Sequence, residues 1–305
     1  MAEITAAALG ARPEEVLVCS TGIIGEDLPL GPIEAGVPAL VGKLGTDDEA
    51  ATAAATAIMT TDTRAKQTLV ARGGFSIGGM CKGAGMIAPN MATMLAFLTT
   101  DAAVSQSLLQ AALEQAVGET FNRVTIDGCT STNDTVLAFA SGAAARQAGG
   151  GGRPGAAELT VALTEACADL AYQIVADAEG GTKVARVVVT GARTETDALR
   201  AARAIADSAL VKCSWFGADP NWGRVLGAAA VSGAEIDPSR MSISYGTTRV
   251  CTGGRGVDYD AAAVRTHLEG HDIEVSCDLG VGTAAASVLG CDLTHGYIDE
   301  NAGRS

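Results

Sequence analysis

The segment that most constrains the fold is residues 82–101, which read KGAGMIAPNMATMLAFLTTD. Its first half carries two glycines and a proline, residue types that end regular structure. From Met94 onward the chain turns apolar, as a buried strand does. A hydroxyl residue, Thr93, therefore stands where a loop enters a core strand, and the fold has to form around that junction.

Thr93 has a chemical use if the chain is broken between Ala92 and Thr93. The break would give Thr93 a free α-amine, which titrates near pH 7.7–8.0 in model peptides and can accept the proton of the threonine hydroxyl. This is the N-terminal-threonine form of an activated nucleophile. For an isolated Ala–Thr pair the simpler alternative, that Thr93 only begins a strand, is favoured, so the decision depends on the surrounding motifs.

Seven motifs, spread in order over nearly the whole chain, resemble those of the ornithine acetyltransferase family, the bifunctional glutamate N-acetyltransferases of arginine biosynthesis. Several of them are too long for coincidence to be a good explanation. The matching segments are 19–25 (CSTGIIG), 58–63 (IMTTDT), 82–89 (KGAGMIAP), 91–95 (MATML), 131–135 (STNDT), 177–180 (DAEG) and 219–224 (DPNWGR).

The resemblance implies a self-cleaving acetyltransferase with an α chain, residues 1–92, and a β chain, residues 93–305. Thr93 would take the acetyl group of N-acetylornithine and pass it to glutamate, which yields ornithine and N-acetylglutamate without a cofactor or metal. The family also implies a heterotetramer of two α and two β chains. The sequence leaves open whether acetyl-CoA serves as a second acetyl donor, which decides between one activity and two.

The resemblance also assigns the residues of the site. It makes Thr21 and Gly22 the oxyanion hole, and it places the cleavage between Ala92 and Thr93. Without the resemblance, ordinary explanations are available: a strand-ending turn for the oxyanion pair, a solvated lysine, a helix end for the glutamate and a frayed terminus. The substrate-contacting residues that it implies are Thr60, Lys82, Thr93, Glu179, Asn301 and Ser305.

Composition excludes several other classes of protein. Hydrophobic residues make up 48% and charged residues 18%, as in ordered globular proteins. The net charge of −14 and the absence of a basic run argue against nucleic acid or an acidic membrane surface as partners. The eight cysteines are scattered without a C-x-x-C pair, and neither a signal peptide nor an apolar run long enough for a bilayer is evident. These features predict a cytoplasmic protein.

Alternating strand and helix patterns predict a mixed α/β fold, and the resemblance implies an αββα-type sandwich with a C-terminal α/β part. Residues 28–46, rich in proline and glycine, are predicted to be mostly connection. Predicted helices cover 47–59, 105–117, 158–178, 194–209 and 260–268. Besides the strand that begins at Met94, predicted strands cover 14–19, 68–71, 75–80, 121–126, 135–140, 184–190, 241–245, 249–251, 272–278 and 286–289.

Members of the family carry a longer stretch before the motif at 19–25, so the chain is expected to be an N-terminally shortened member. Two alternatives therefore stay open. One is an N-terminal-nucleophile aminopeptidase or amidohydrolase, in which water replaces glutamate as the acceptor. The other is an inactive truncated member that keeps the motifs without the activity.

Overall fold

Ten helices and ten strands form the part of the chain that the computed structural model describes, residues 1–88, 94–146 and 151–303. The helices are α1 (Ala2–Leu9), α2 (Leu30–Val41), α3 (Asp48–Ala57), α4 (Gln106–Glu119), α5 (Ala156–Ala176), α6 (Glu195–Asp207), α7 (Ala209–Phe216), α8 (Trp222–Ala230), α9 (Ala261–Glu269) and α10 (His295–Asn301). The strands are β1 (Lys66–Arg72), β2 (Phe75–Lys82), β3 (Leu95–Thr100), β4 (Thr135–Ala140), β5 (Val184–Ala192), β6 (Ser242–Tyr245), β7 (Thr248–Thr252), β8 (Arg255–Gly256), β9 (Asp272–Asp278) and β10 (Ala284–Cys291). The predicted mixed α/β class is confirmed.

The first sheet has the strand order β1-β2-β3-β4. Its hairpin turns at Gly73 and Gly74, whose φ angles of 59° and 80° suit glycine and the tight turns that join antiparallel strands. Lys82 pairs with Leu95 between antiparallel β2 and β3, and Leu95 pairs with Thr135 between parallel β3 and β4. The end of β2 and the starts of β3 and β4 therefore lie at one edge of the sheet.

Helices α4 and α5 cover one face of this sheet and form the first hydrophobic core with it. Leu159, Leu163, Leu170 and Ile174 recur at helical spacing on α5 and are fully buried. By length and composition alone α5 could cross a membrane, but its apolar face is packed inside this core. After α5 the chain returns to the edge of the first sheet where β2 ends, since the Glu179 amide donates to Ala84 O.

The second sheet has the order β10-β5-β9-β6-β7-β8, in which β5 and β9 are parallel and the other pairs antiparallel. Helices α6 to α9 flank it, and the second core includes the buried side chains of Trp215 and Tyr245. Thr194 accepts a hydrogen bond from the Asp197 amide and starts α6, as the sequence predicts.

Three predictions of local structure are wrong. The strand predicted at 14–19 is a short 3₁₀ turn, Pro13–Glu15, because the Glu15 carboxylate caps the Arg12 amide at 2.9 Å, and irregular chain follows. The strand predicted at 121–126 begins as the 3₁₀ turn Phe121–Arg123. The connection predicted at 28–46 contains α2. Helix α10, which the Thr294 hydroxyl caps, covers the start of the C-terminal tail for which fraying was the ordinary alternative. Helix α7, capped by Ser208, was not predicted.

Candidate functional site

Lys82 is the last residue of β2 and lies at the sheet edge where β3 and β4 begin. Only 3% of it is exposed, and its Nζ donates to the Thr60 hydroxyl at 3.3 Å. Burial lowers the pKa of the Lys82 ammonium, and the charges of Asp62 and Asp134 partly oppose that shift. Within the described residues, the acceptor found for this amine is the Thr60 hydroxyl, so the buried cation has no direct hydrogen bond to a carboxylate there.

Asp62 holds the backbone on both sides of the Lys82–Thr60 contact. Its carboxylate accepts from the Gly83 amide at 2.7 Å, from the Thr60 amide at 3.1 Å and from Lys66 Nζ at 2.6 Å. Burial acts to raise the pKa of Asp62, but the hydrogen bond from Lys66 and those from the two amides outweigh it, and the pKa is lowered. A buried, charged carboxylate thus fixes two of the predicted substrate-contacting residues.

Lys66 extends the same network to the end of α5. Its side chain is fully buried, and Nζ also donates to Asp177 Oδ2 at 2.5 Å. Asp177 further accepts from the Thr63 amide at 3.1 Å and from the Thr63 hydroxyl. One ammonium therefore links the segment around Thr60 to the segment that carries Glu179.

Glu179 follows α5 and lies half-buried against the glycine-rich turn after β2. Its amide donates to Ala84 O at 2.9 Å, and its Oε2 accepts from Asn301 Nδ2 at 2.9 Å. A Cβ on Gly85 would lie 2.4 Å from the Glu179 carboxylate, so a side chain at this position would displace that carboxylate. The structure thus brings together Glu179 and Asn301, two residues that the sequence placed 122 positions apart.

The loop of residues 127–134 accepts hydrogen bonds from backbone amides on both sides of residues 89–93. Asp127 accepts from the Met86 amide at 2.6 Å and from the Ile87 amide at 3.1 Å, while Asp134 Oδ1 accepts from the Met94 amide at 2.9 Å. Burial raises the pKa of Asp134 to about 6, although the Met94 N–H and the Lys82 charge act to lower it. The sequence analysis assigned no role to either of these two aspartates.

Thr21 and Gly22 line a cavity of about 370 Å³ that residues 20–29 form with Thr132 and Asn133 of the same loop. Thr21 is half-exposed and Gly22 exposed, and both lie in irregular chain rather than at the end of a strand. The predicted oxyanion pair is thus next to the loop that holds the Met94 amide.

Three predicted site residues lie outside the described part of the chain: Ala92, Thr93 and Ser305. Their proposed roles stay predictions. Within residues 1–88, 94–146 and 151–303, no group of three or more His, Cys, Asp or Glu side chains is arranged to hold a metal ion. The expectation that the activity needs no cofactor also stays a prediction.

Comparison with known proteins gives one consistent result. The ArgJ family model matches residues 1–304. The arginine biosynthesis bifunctional protein ArgJ of Mycolicibacterium paratuberculosis is 48% identical over 297 residues, which covers 95% of this chain and 70% of the relative. The proteins of the same name from Thermobifida fusca and Geobacter sulfurreducens are each 46% identical over 304 residues and are covered to 76% and 77%.

A solved structure agrees with these relatives. The crystal structure of arginine biosynthesis bifunctional protein ArgJ from Bacillus halodurans superposes with a TM-score of 0.64 at 39% identity. The superposition covers 68% of this chain and 98% of that chain.

Proposed function

Because this chain belongs to the ArgJ family of arginine-biosynthesis acetyltransferases, we propose that it cleaves itself before Thr93 and moves the acetyl group of N-acetylornithine to glutamate. In this proposal residues 1–92 and 93–305 are the two chains of the mature enzyme. The alternative acceptor is water, which would make it an amidohydrolase, and acetyl-CoA is an additional donor to be tested.

The observation that carries the proposal is the charge arrangement at the sheet edge next to Thr93. Lys82 offers a buried ammonium, and Glu179 offers a carboxylate held by Asn301. N-acetylornithine carries a carboxylate and a side-chain ammonium, and these two groups are complementary to Lys82 and Glu179. Met94, which follows Thr93 directly, is fixed at the same edge by Asp134. The proposed nucleophile is therefore covalently attached to this edge.

The chemistry runs in two balanced halves. The Thr93 hydroxyl attacks the acetyl carbonyl, its proton passes to the Thr93 amine, and ornithine leaves with that proton on its nitrogen. The glutamate amine then attacks the acetyl-threonine ester and releases N-acetylglutamate, which restores the hydroxyl. Thr21 and Gly22 are proposed to stabilise the oxyanion, a contribution of about 3–4 kcal/mol for each donor in well-studied enzymes.

The coverage of the solved relative is compatible in length with a separate β chain. Its chain is 98% covered by 68% of this one, a share close to the part of the sequence that follows residue 92. The assembly of two α and two β chains in the cytoplasm is proposed from the family resemblance. Size-exclusion chromatography with light scattering tests the assembly.

The proposal is tested in two measurements on the purified full chain. Denaturing mass spectrometry should find polypeptides 1–92 and 93–305, and the variant Thr93→Ala should be a single uncut chain. Incubation with N-acetylornithine and glutamate should form N-acetylglutamate. Free acetate formed at the same rate without glutamate would instead identify an amidohydrolase, and no product from a fully cleaved protein would refute the assigned substrates.

A further inference from the structure

Helix α10 packs directly on the turn that carries Glu179. The Thr294 hydroxyl, which caps the helix, donates to Gly180 O and accepts from the Tyr297 amide at 3.3 Å. Gly180 has a φ angle of 62°, and a Cβ on it would lie 2.1 Å from the Tyr297 nitrogen, so the two backbones are in close contact. The start of α10 therefore has a fixed position relative to Glu179.

Tyr297 and Asn301 lie one turn apart on α10, so they share a face of the helix. Asn301 Nδ2 donates to Glu179 Oε2 at 2.9 Å and to Tyr297 O at 3.0 Å. The Tyr297 hydroxyl lies 3.4 Å from Asp127 Oδ2. This face of α10 thus meets two carboxylates, those of Glu179 and Asp127. The sequence analysis assigned no role to Tyr297.

Asp127 holds the Tyr297 hydroxyl loosely, because it already accepts three backbone amides. Its Oδ2 accepts from Met86 at 2.6 Å, and its Oδ1 accepts from Ile87 at 3.1 Å and from Cys129 at 3.0 Å. A separation of 3.4 Å is long for a bond from a hydroxyl to an oxygen. A phenol oxygen can also accept hydrogen bonds, and within the described residues no donor to it is found. Its lone pairs are therefore available to a ligand.

The charges around the Tyr297 hydroxyl favour a cation. Burial, and to a lesser extent the negative charges of Asp127 and Glu179, raises the pKa of Tyr297 to about 12. The phenol is therefore neutral at physiological pH and can keep its hydrogen directed at Asp127. Tyr297, Asp127 and Glu179 are each partly exposed, so a ligand can reach them from solvent. An ammonium group has three N–H donors and no acceptor, which suits a carboxylate together with a phenol oxygen.

We propose that Tyr297 is a further specificity-determining residue, whose oxygen accepts a hydrogen bond from the side-chain ammonium of N-acetylornithine while its hydrogen is donated to Asp127. Glu179 supplies the opposing charge. The inference rests on the proposed function and deepens it. Glu179 by itself attracts any cation, whereas two acceptors on one nitrogen require an ammonium with at least two N–H bonds.

The test compares two acetyl donors with the purified full chain and glutamate as the acceptor. In N-acetylnorleucine a methyl group replaces the ammonium of N-acetylornithine. Each compound is assayed as a substrate, and N-acetylnorleucine also as a competitor, so that its binding is measured even where transfer from it is slow. Tyr297→Phe removes one oxygen. It should lower kcat/KM for N-acetylornithine by about ten-fold or more and leave the constants for N-acetylnorleucine unchanged.

Tyr172→Phe is the matched control, because the Tyr172 hydroxyl also donates to an aspartate, Asp272, at 2.7 Å between α5 and β9. This variant should keep the wild-type preference for N-acetylornithine. The preference is a ratio within one preparation, so a loss of folded protein lowers both rates and leaves the ratio unchanged.

Three results would overturn the inference. The first is a wild type without preference for N-acetylornithine, and the second is a Tyr297→Phe protein with the wild-type preference. The third is an equal loss for both compounds in Tyr297→Phe, which would make the role of Tyr297 structural. A wild type that transfers acetyl from neither compound would overturn the proposed function itself.

Discussion

Replacing Lys66 with methionine should be strongly destabilising. Its ammonium lies 2.6 Å from Asp62 and 2.5 Å from Asp177, whose side chains are 0% and 4% exposed. Methionine fills a similar volume but leaves two buried carboxylates without their cation. Removing one partner of a buried ion pair typically costs about 3–5 kcal/mol. Because domains are stable by only about 5–15 kcal/mol, this is a large share of the total.

The loss of stability in Lys66→Met should be smaller at acidic pH, and the direction of this pH dependence follows from the pKa of Asp62. In the native protein the pKa of Asp62 is lowered. Ionised Asp62 therefore stabilises the fold at pH values above its pKa in the unfolded chain, and this stabilisation is lost as the pH falls through the lowered folded pKa. Without Lys66, burial dominates and the folded pKa rises above the unfolded one. The variant then gains protons on folding, so its deficit should be smaller at pH 5 than at pH 7.5.

Urea unfolding at pH 7.5 and pH 5 measures both effects. Arg72→Met is the matched control, since Arg72 pairs with Glu165 at 2.7 Å but the two side chains are 44% and 53% exposed. Its loss should stay below about 1 kcal/mol. The double variant Lys66→Met with Asp62→Asn should recover part of the Lys66→Met deficit. Equal losses for Lys66→Met and Arg72→Met, or a pH-independent deficit, would refute the argument.

Three further predictions concern the substrate site. Gly85→Ala places a Cβ 2.4 Å from the Glu179 carboxylate and should reduce the rate of acetyl transfer at least about ten-fold. Gly118→Ala on α4 is the control, because the space around Gly118 is open; it should preserve activity and raise the free energy of unfolding by up to about 1 kcal/mol. Lys82→Met should raise the KM for N-acetylornithine by about ten-fold or more, and an unchanged KM would contradict a carboxylate contact. Asn301→Ala removes the amide that donates to Glu179 Oε2 at 2.9 Å. In steady-state assays it should raise the KM for N-acetylornithine less than Lys82→Met does.

Local signals made several elements predictable. The Gly73-Gly74 pair marked the hairpin between β1 and β2, and both residues have positive φ. Asp47 and Thr194 marked the starts of α3 and α6, and both side chains accept the amide three residues on. In each case the deciding interaction lies within a few residues, so the sequence displays it directly.

Other features depend on distant residues and gave no local signal. Asp177 is 111 positions from Lys66, and its burial against that lysine is set by the packing of α5 on β1. Asp134 is 40 positions from Met94, and it lies among small polar residues that are typical of an ordinary turn. An aspartate followed by small polar residues predicts backbone hydrogen bonding, but not which backbone is bound.

The charges at this edge make physical sense only together with the residues they orient. A buried ion pair taken by itself adds little net stability, because desolvating the ions offsets most of their attraction. Yet Asp62 also accepts hydrogen bonds from the Thr60 and Gly83 amides, on either side of the Lys82–Thr60 contact. Apolar residues would fill the space but leave those amides unbound. The network is therefore best explained as a positioning device for Thr60 and Lys82, with stability as a secondary consequence.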